Sequence, residues 1–177
     1  MVVFTIGHST RTIAELIALL QSAEIAMLVD VRRFPGSRRH PQFNAEALAA
    51  SLAGAGIRYR HLAALGGRRE ARAGGESPNT LWREPAFRNY ADYAETSDFR
   101  TAFGELLRVA GEQRTAIMCA EALWWQCHRR IVADYLIAAG IGVEHILAPG
   151  KIEPARLTPG ATIRPDGSVL YGEARLL

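Results

Sequence analysis

The sequence predicts an α/β protein: a three-layer, mostly parallel open sheet of about five strands, with helices on both faces. Three observations predict it. Short apolar, β-branched runs recur at residues 2–6, 26–32, 57–62, 115–119 and 142–147. Apolar residues at helical spacing occupy the segments between them, so each strand is followed by a crossover and returns parallel. The runs are also apolar without alternation, which marks strands covered on both faces.

Residues 2–6 form the first strand and end at Gly7; Ile13, Leu16, Ile17 and Leu20 then line one side of a helix capped by Thr10 or Thr12. Residues 26–32 are the second strand, followed by an irregular basic loop. Asn44 caps a helix carrying Leu48 and Leu52, which closes at residues 54–56 before the third strand at 57–62. Residues 63–85 mix glycine, proline and charge over a length unusual for a plain connection, the mark of a functional loop. Two helices follow at 86–96 and 98–111, the second capped by Ser97 or Asp98 and presenting Phe99, Phe103, Leu106 and Leu107. The fourth strand spans 115–119, a helix runs from Cys127 to Ala139 and stops at Gly140, and the fifth strand spans 142–147. A proline-rich tail, 148–177, holds Asp166-Gly167 as the turn of a short hairpin. The expectation is one domain over 1–177 with its core at 2–147.

The chain has 177 residues and a formal charge of +3, enough length to bury a core without a metal or a disulfide. No apolar run approaches the ~20 residues that cross a bilayer. The first residues lack a basic leader and a long apolar core, so a cytoplasmic protein without membrane attachment is expected. Of the 21 basic residues only Lys151 is lysine, and nine arginines crowd between Arg32 and Arg72 beside two acids, Glu46 and Glu70. Arginine forks suit phosphates and carboxylates, so a small anionic ligand or a nucleic acid is the expected partner. The sequence specifies no cofactor.

In an open parallel sheet the ligand crevice lies outside the carboxyl ends of the strands. Four strand ends collect reactive side chains there. His8 and Ser9 follow the first strand, beside a helix N-terminus that favours an anion. Asp30 and Arg32 end the second and share a face of it, as an ion pair or as ligand contacts. The proline-stiffened loop after it adds Ser37 and Arg38, and Gly66-Gly67 offer backbone to a phosphate, although the Walker lysine and hydroxyl are missing. Trp82, Phe87, Tyr90 and Tyr93 are either packing or surfaces for stacking a base. The fourth strand leads through Cys119 to Glu121, Cys127, His128 and Arg129. Cys127 stands near a helix start beside Arg129, which favours thiolate. Glu121 suits proton transfer or a bond to Arg129. A metal site would need Cys119, Cys127 and His128 with Glu121 or His8, a set without the usual paired-cysteine spacing.

Read together, Thr5 to Ser9, Asp30 to Arg32, Pro35 with Ser37-Arg38, Leu65 to Gly67, Phe87 to Tyr90, Cys119 to Glu121 and Cys127 to Arg129 resemble the pattern of domain-of-unknown-function family 488. The resemblance covers about residues 3–146 and leaves the tail outside. It supplies positions without a reaction. The cradle of rhodaneses and tyrosine phosphatases is excluded, because it needs an arginine five residues after the cysteine and position 132 is Val.

The residues therefore point to an enzyme-like pocket for a phosphate-bearing or other anionic ligand, such as a nucleotide or a nucleic-acid end. Arg32, Arg38 and Arg129 would bind the anion, His8 and Glu121 would move protons, and Cys127 is the candidate nucleophile. Asp30 would orient Arg32 or His8. The alternatives are a non-catalytic nucleic-acid-binding module using Arg32 to Arg72, and the metal site.

Overall fold

The fold is described from a computed structural model, which describes residues 1–172; residues 173–177 of the expected tail lie outside the described residues. The chain is α/β. Its elements are β1 (Val2–Gly7), α1 (Ile13–Ser22), β2 (Met27–Asp30), α2 (Ala45–Gly54), β3 (Arg58–His61), α3 (Pro85–Tyr93), α4 (Ser97–Glu112), β4 (Thr115–Cys119), α5 (Arg129–Ala138), β5 (Gly142–Ala148), β6 (Lys151–Pro154), β7 (Ala161–Ile163) and β8 (Val169–Tyr171). Six strands form one sheet in the order β3-β2-β4-β1-β5-β6, and β7 pairs with β8 separately. The first five strands of that order run parallel; β6 is antiparallel to β5.

The alternation of side chains along the strands feeds two cores. Phe4, Ile6, Leu28, Ala116 and Met118 pack with Leu16 and Leu20 of α1 and Leu48 and Leu52 of α2. Val3, Val29, Val31 and Ile117 pack on the other face with Tyr90, Phe99, Leu106 and Leu136 of α3, α4 and α5. β4 is buried at every position, which is why it reads as an unbroken apolar run.

Register brings the strand ends level: Gly7 lies beside Cys119, and Asp30 lies beside Met118 on one side and His61 on the other. The segments that leave β1, β2, β3 and β4 therefore meet over one edge of the sheet.

Several local expectations are corrected. A sixth strand, β6, was not foreseen: its residues are all exposed, so no apolar pattern marks it, and its Lys151 and Pro154 suit an edge that must not pair further. The cap of α4 is Thr96 rather than Ser97 or Asp98, with its Oγ1 accepting from the Phe99 N–H at 3.4 Å. Thr12 caps α1 through the Glu15 N–H. Asn44 occupies the position before α2, but its Oδ1 accepts the Ser37 N–H at 2.6 Å and so pins the basic loop instead of the helix end. α5 starts at Arg129, two residues later than expected, after a 3₁₀ turn at Trp124–Gln126.

The β7–β8 hairpin packs on α5. Tyr171 donates its phenolic O–H to the buried carboxylate of Asp134 at 2.8 Å, and its backbone bonds to Asn79 and Leu81 of the long loop. Among the described residues no helix is long and apolar enough to cross a membrane.

Candidate functional site

Close approach of chain to chain builds the site. A Cβ at Gly7 would stand 1.8 Å from the carbonyl oxygen of Glu121, so only glycine lets the end of β1 pass beneath the loop after β4. The His8 and Ser9 amides then donate to the Cys119 and Ala120 carbonyls at 3.0 and 2.9 Å, and Ser9 takes a φ of +49° to do so. That turn sets the imidazole of His8 on the Phe43 ring, with centroids 4.2 Å apart. His8 Nδ1 bonds the Ser9 carbonyl at 2.9 Å, so Nδ1 carries the hydrogen and Nε2 is a bare acceptor facing Arg32 Nη1 at 3.3 Å. Burial, helped by the Arg32 charge and opposed by the Ser9 bond, lowers its pKa to about 4. His8 is therefore neutral near pH 7, the form that accepts a proton.

Asp30 and Arg32 form a buried, two-pronged ion pair. Asp30 Oδ1 accepts from Arg32 Nε at 2.8 Å and Oδ2 from Arg32 Nη2 at 2.6 Å, with the Tyr59 hydroxyl donating to Oδ2 at 2.7 Å. Arg32 Nη2 also donates to the Phe43 carbonyl. The guanidinium is thus held by the protein on three sides, and Nη1 is the edge that meets His8.

The loop from β4 to α5 carries the thiols. Arg129 is 1% exposed and has no carboxylate partner among the described residues. Its Nε donates to Cys119 Sγ at 3.0 Å, Nη1 to Thr5 Oγ1 at 3.3 Å and Nη2 to the Glu121 carbonyl. Its amide points at Cys127 Sγ from 3.4 Å. His128 bonds the Val31 carbonyl through Nε2 at 2.8 Å, which leaves Nδ1, 3.5 Å from Cys127 Sγ, free to take the thiol proton. Burial alone would raise both thiols. For Cys127 the hydrogen bond from Cys119 and the His128 and Arg129 charges outweigh burial and hold it well below the ordinary range, while burial and the neighbouring Cys127 push Cys119 well above it. Of the two sulfurs Cys127 is the one whose surroundings favour the thiolate, while the Arg129 guanidinium lies against Cys119.

These groups surround a cavity of about 440 Å³. His8, Arg32, Ser37, Gly67, Glu121, Cys127 and His128 line it, together with Cys119. Ser9, Asp30, Gly66, Arg38 and Arg129 are not in its wall: Asp30, Gly66 and Arg129 are buried, Ser9 is half-buried, and Arg38 is exposed on the loop between Ser37 and His40. Glu121 is exposed and lines the cavity, while its carbonyl does the structural bonding. Gly66 and Gly67 pack closely: a Cβ would stand 2.4 Å from the Arg33 nitrogen at one and 2.9 Å from His128 Nδ1 at the other.

Arg33, Phe34, His40 and Arg68 also line the cavity; His40 and Arg68 belong to the basic loop and the glycine stretch that the sequence marks for an anion, whereas Arg33 and Phe34 carry no signal of their own. Strand alternation alone does not say which neighbour turns inward once the chain leaves the strand. Trp82 stacks on Phe87 and tilts against Tyr171, and Tyr93 donates to the Ala64 carbonyl, so Trp82 and Tyr93 are held by packing, whereas Phe87 and Tyr90 also line the cavity. Among the described residues no three His, Cys, Asp or Glu side chains are grouped to hold a metal ion.

Neither curated proteins nor solved structures yielded a match to this chain. One family model does match, that of Domain of unknown function DUF488, over residues 12–136; it takes in every cavity residue named above except His8. With most of its length matched, including the Asp30–Arg32 pair and both cysteines, the chain belongs to the DUF488 family.

Proposed function

We propose that the cavity binds a small anionic ligand, phosphate-bearing or otherwise, beside a nucleophilic Cys127, making this an enzyme-like site. One observation carries the reading: Arg32, Arg33 and Arg68 line the cavity against a single carboxylate, Glu121. Arg32 is already neutralised by Asp30. Arg33 gives one nitrogen to the Arg68 carbonyl, and neither it nor Arg68 is in an ion pair among the described residues. Those two cations are the ones available to an incoming anion. His128 takes the Cys127 proton, neutral His8 accepts a second, and Glu121 is placed to exchange protons with solvent.

The reading is tested by calorimetric titration with inorganic phosphate and with a nucleoside monophosphate. Binding should weaken at least ~10-fold, about 1.4 kcal/mol, in an Arg33→Ala/Arg68→Ala protein. Affinity unchanged by the double substitution would remove the anion site.

A further inference from the structure

The proposed site accounts for Cys127 but gives Cys119 no task. Cys119 ends β4 and Cys127 precedes α5, and both are free thiols that reach the same cavity wall. A single residue holds both sulfurs: Arg129 donates its Nε to Cys119 at 3.0 Å and its amide to Cys127 at 3.4 Å. The guanidinium is in turn fixed to the Thr5 hydroxyl and the Glu121 carbonyl, so Cys119 is presented from a rigid frame. Cys127 has a proton acceptor, His128 Nδ1, at 3.5 Å. Simple packing of a small apolar side chain requires none of this.

We infer that Cys127 and Cys119 form a reversible dithiol–disulfide couple that reduces a small hydroperoxide entering the cavity, with Cys127 attacking and Cys119 resolving. The inference rests on the reading of Cys127 as the nucleophile of this site. In the first step the Cys127 thiolate attacks the terminal peroxide oxygen: an S–O bond forms, the O–O bond breaks, and the leaving alkoxide takes the proton held by His128. The products are an alcohol and the Cys127 sulfenic acid. In the second step Cys119 sulfur attacks that sulfenic sulfur; the S–S bond forms, the S–O bond breaks, and hydroxide leaves with the Cys119 proton as water. Two thiols lose two electrons and the peroxide gains two. Two equivalents of an external thiol reverse the change by exchange.

The division of labour follows from the surroundings. Cys127 is the sulfur held as thiolate, which is the attacking form, whereas Cys119 stays protonated until a sulfenic acid appears beside it. On oxidation the Cys127 thiolate charge disappears, so the couple also changes the charge of the cavity wall. That ties the redox state to how strongly the cavity holds an anion.

The test uses the full chain, reduced and then treated with stoichiometric hydrogen peroxide. Cleavage after Arg114 and Arg129 releases one peptide, residues 115–129, that carries both cysteines. It should lose the mass of two hydrogens, resist alkylation, and recover on addition of dithiothreitol. Cys119→Ser should stop at a sulfenic acid, one oxygen heavier and captured by a cyclic dione; Cys119→Ala gives the same readout where serine unsettles the buried position. Cys127→Ser should leave Cys119 reduced. Overturning results are a Cys127→Ser protein whose Cys119 oxidises as fast as in the wild type, or wild-type protein that gains oxygen without forming the disulfide. Phosphate titration of the same reduced samples reports the anion site separately, so loss of the couple and loss of that site are read from different measurements.

Discussion

Replacing Asp30 by Asn should destabilise the protein by about 3–5 kcal/mol, the usual cost of stripping one partner from a buried ion pair. The magnitude follows from the geometry. Asp30 is fully buried, and its carboxylate accepts from the Arg32 amide at 3.1 Å, from Arg32 Nε at 2.8 Å, from Nη2 at 2.6 Å and from the Tyr59 hydroxyl at 2.7 Å. An amide keeps one acceptor oxygen and turns an NH₂ toward groups that are themselves donors. At least one of the two oxygens' bonds is lost, and a guanidinium that is 8% exposed loses its counter-charge. Against a total stability of about 5–15 kcal/mol the change is large. Urea denaturation followed by far-ultraviolet circular dichroism measures it. An Asp30→Leu/Arg32→Met protein should recover part of the loss and not all of it, because the Phe43 carbonyl, the Tyr59 hydroxyl, the residue-32 N–H and His8 Nε2 are then without their partners, at about 1–3 kcal/mol for each that water does not reach. An Asn variant within about 1 kcal/mol of wild type, or a double variant no better than the single one, would refute the ion pair as the anchor of this strand end.

Three further outcomes are expected. Gly7→Ala puts a methyl 1.8 Å from the Glu121 carbonyl oxygen; the loop must give way at a cost of about 1–3 kcal/mol or more, and a melting temperature equal to that of the wild type would contradict the close approach. Glu121→Gln should change stability by less than about 0.5 kcal/mol, because the backbone carbonyl and not the side chain bonds Arg129 and Cys119; a shifted denaturation midpoint would show that the carboxylate is structural. Burial, with Arg charge nearby, lowers the pKa of both His8 and His145 to about 4, whereas imidazoles of the unfolded chain titrate near 6.5. The unfolded state then binds more protons between those values, so stability is complete above about pH 6.5 and falls as pH drops toward 4. Melting temperatures at pH 7 and pH 5 should show that fall, with a shallower slope in His145→Asn; equal slopes would exclude His145 as a contributor.

The parallel strands were legible because both faces of the sheet are covered: a run such as Thr115–Cys119, buried throughout, announces itself by composition alone. The alignment of strand ends followed, since parallel strands joined by right-handed crossovers must finish on one edge. β6 was not legible, because an exposed edge strand has no inward face to conserve an apolar pattern. In the site, residue types were easier to read than directions. Asp30 and Arg32 point together because strand geometry fixes them two residues apart, but Arg33, Arg68 and Arg38 lie on irregular backbone. There only contacts such as the Ser37 amide on Asn44, or the glycine-tight passage of residue 66 by Arg33, determine which guanidinium faces the cavity. Cys119 stands among apolar neighbours in its strand, and nothing local to the sequence says that an arginine ten positions later donates to its sulfur.

The two buried arginines at this edge meet the same electrostatic demand in different ways. Burying a guanidinium is costly without an opposing charge and full hydrogen bonding. Arg32 is matched by a carboxylate, whose covalent state does not change in ordinary conditions. Arg129 is matched by the Cys119 sulfur, a hydroxyl and a carbonyl; burial works against its charge, and the Cys119 and Cys127 sulfurs beside it more than offset that. Only the second arrangement couples the stability of a buried cation to the covalent state of its partner. Alkylation or oxidation of the two cysteines would alter what stands beside Arg129, whereas no comparable chemistry applies to the Asp30 carboxylate. The alterable partner of a buried cation at this edge therefore lies between β4 and α5, and the Asp30–Arg32 pair stands beside it as a fixed wall.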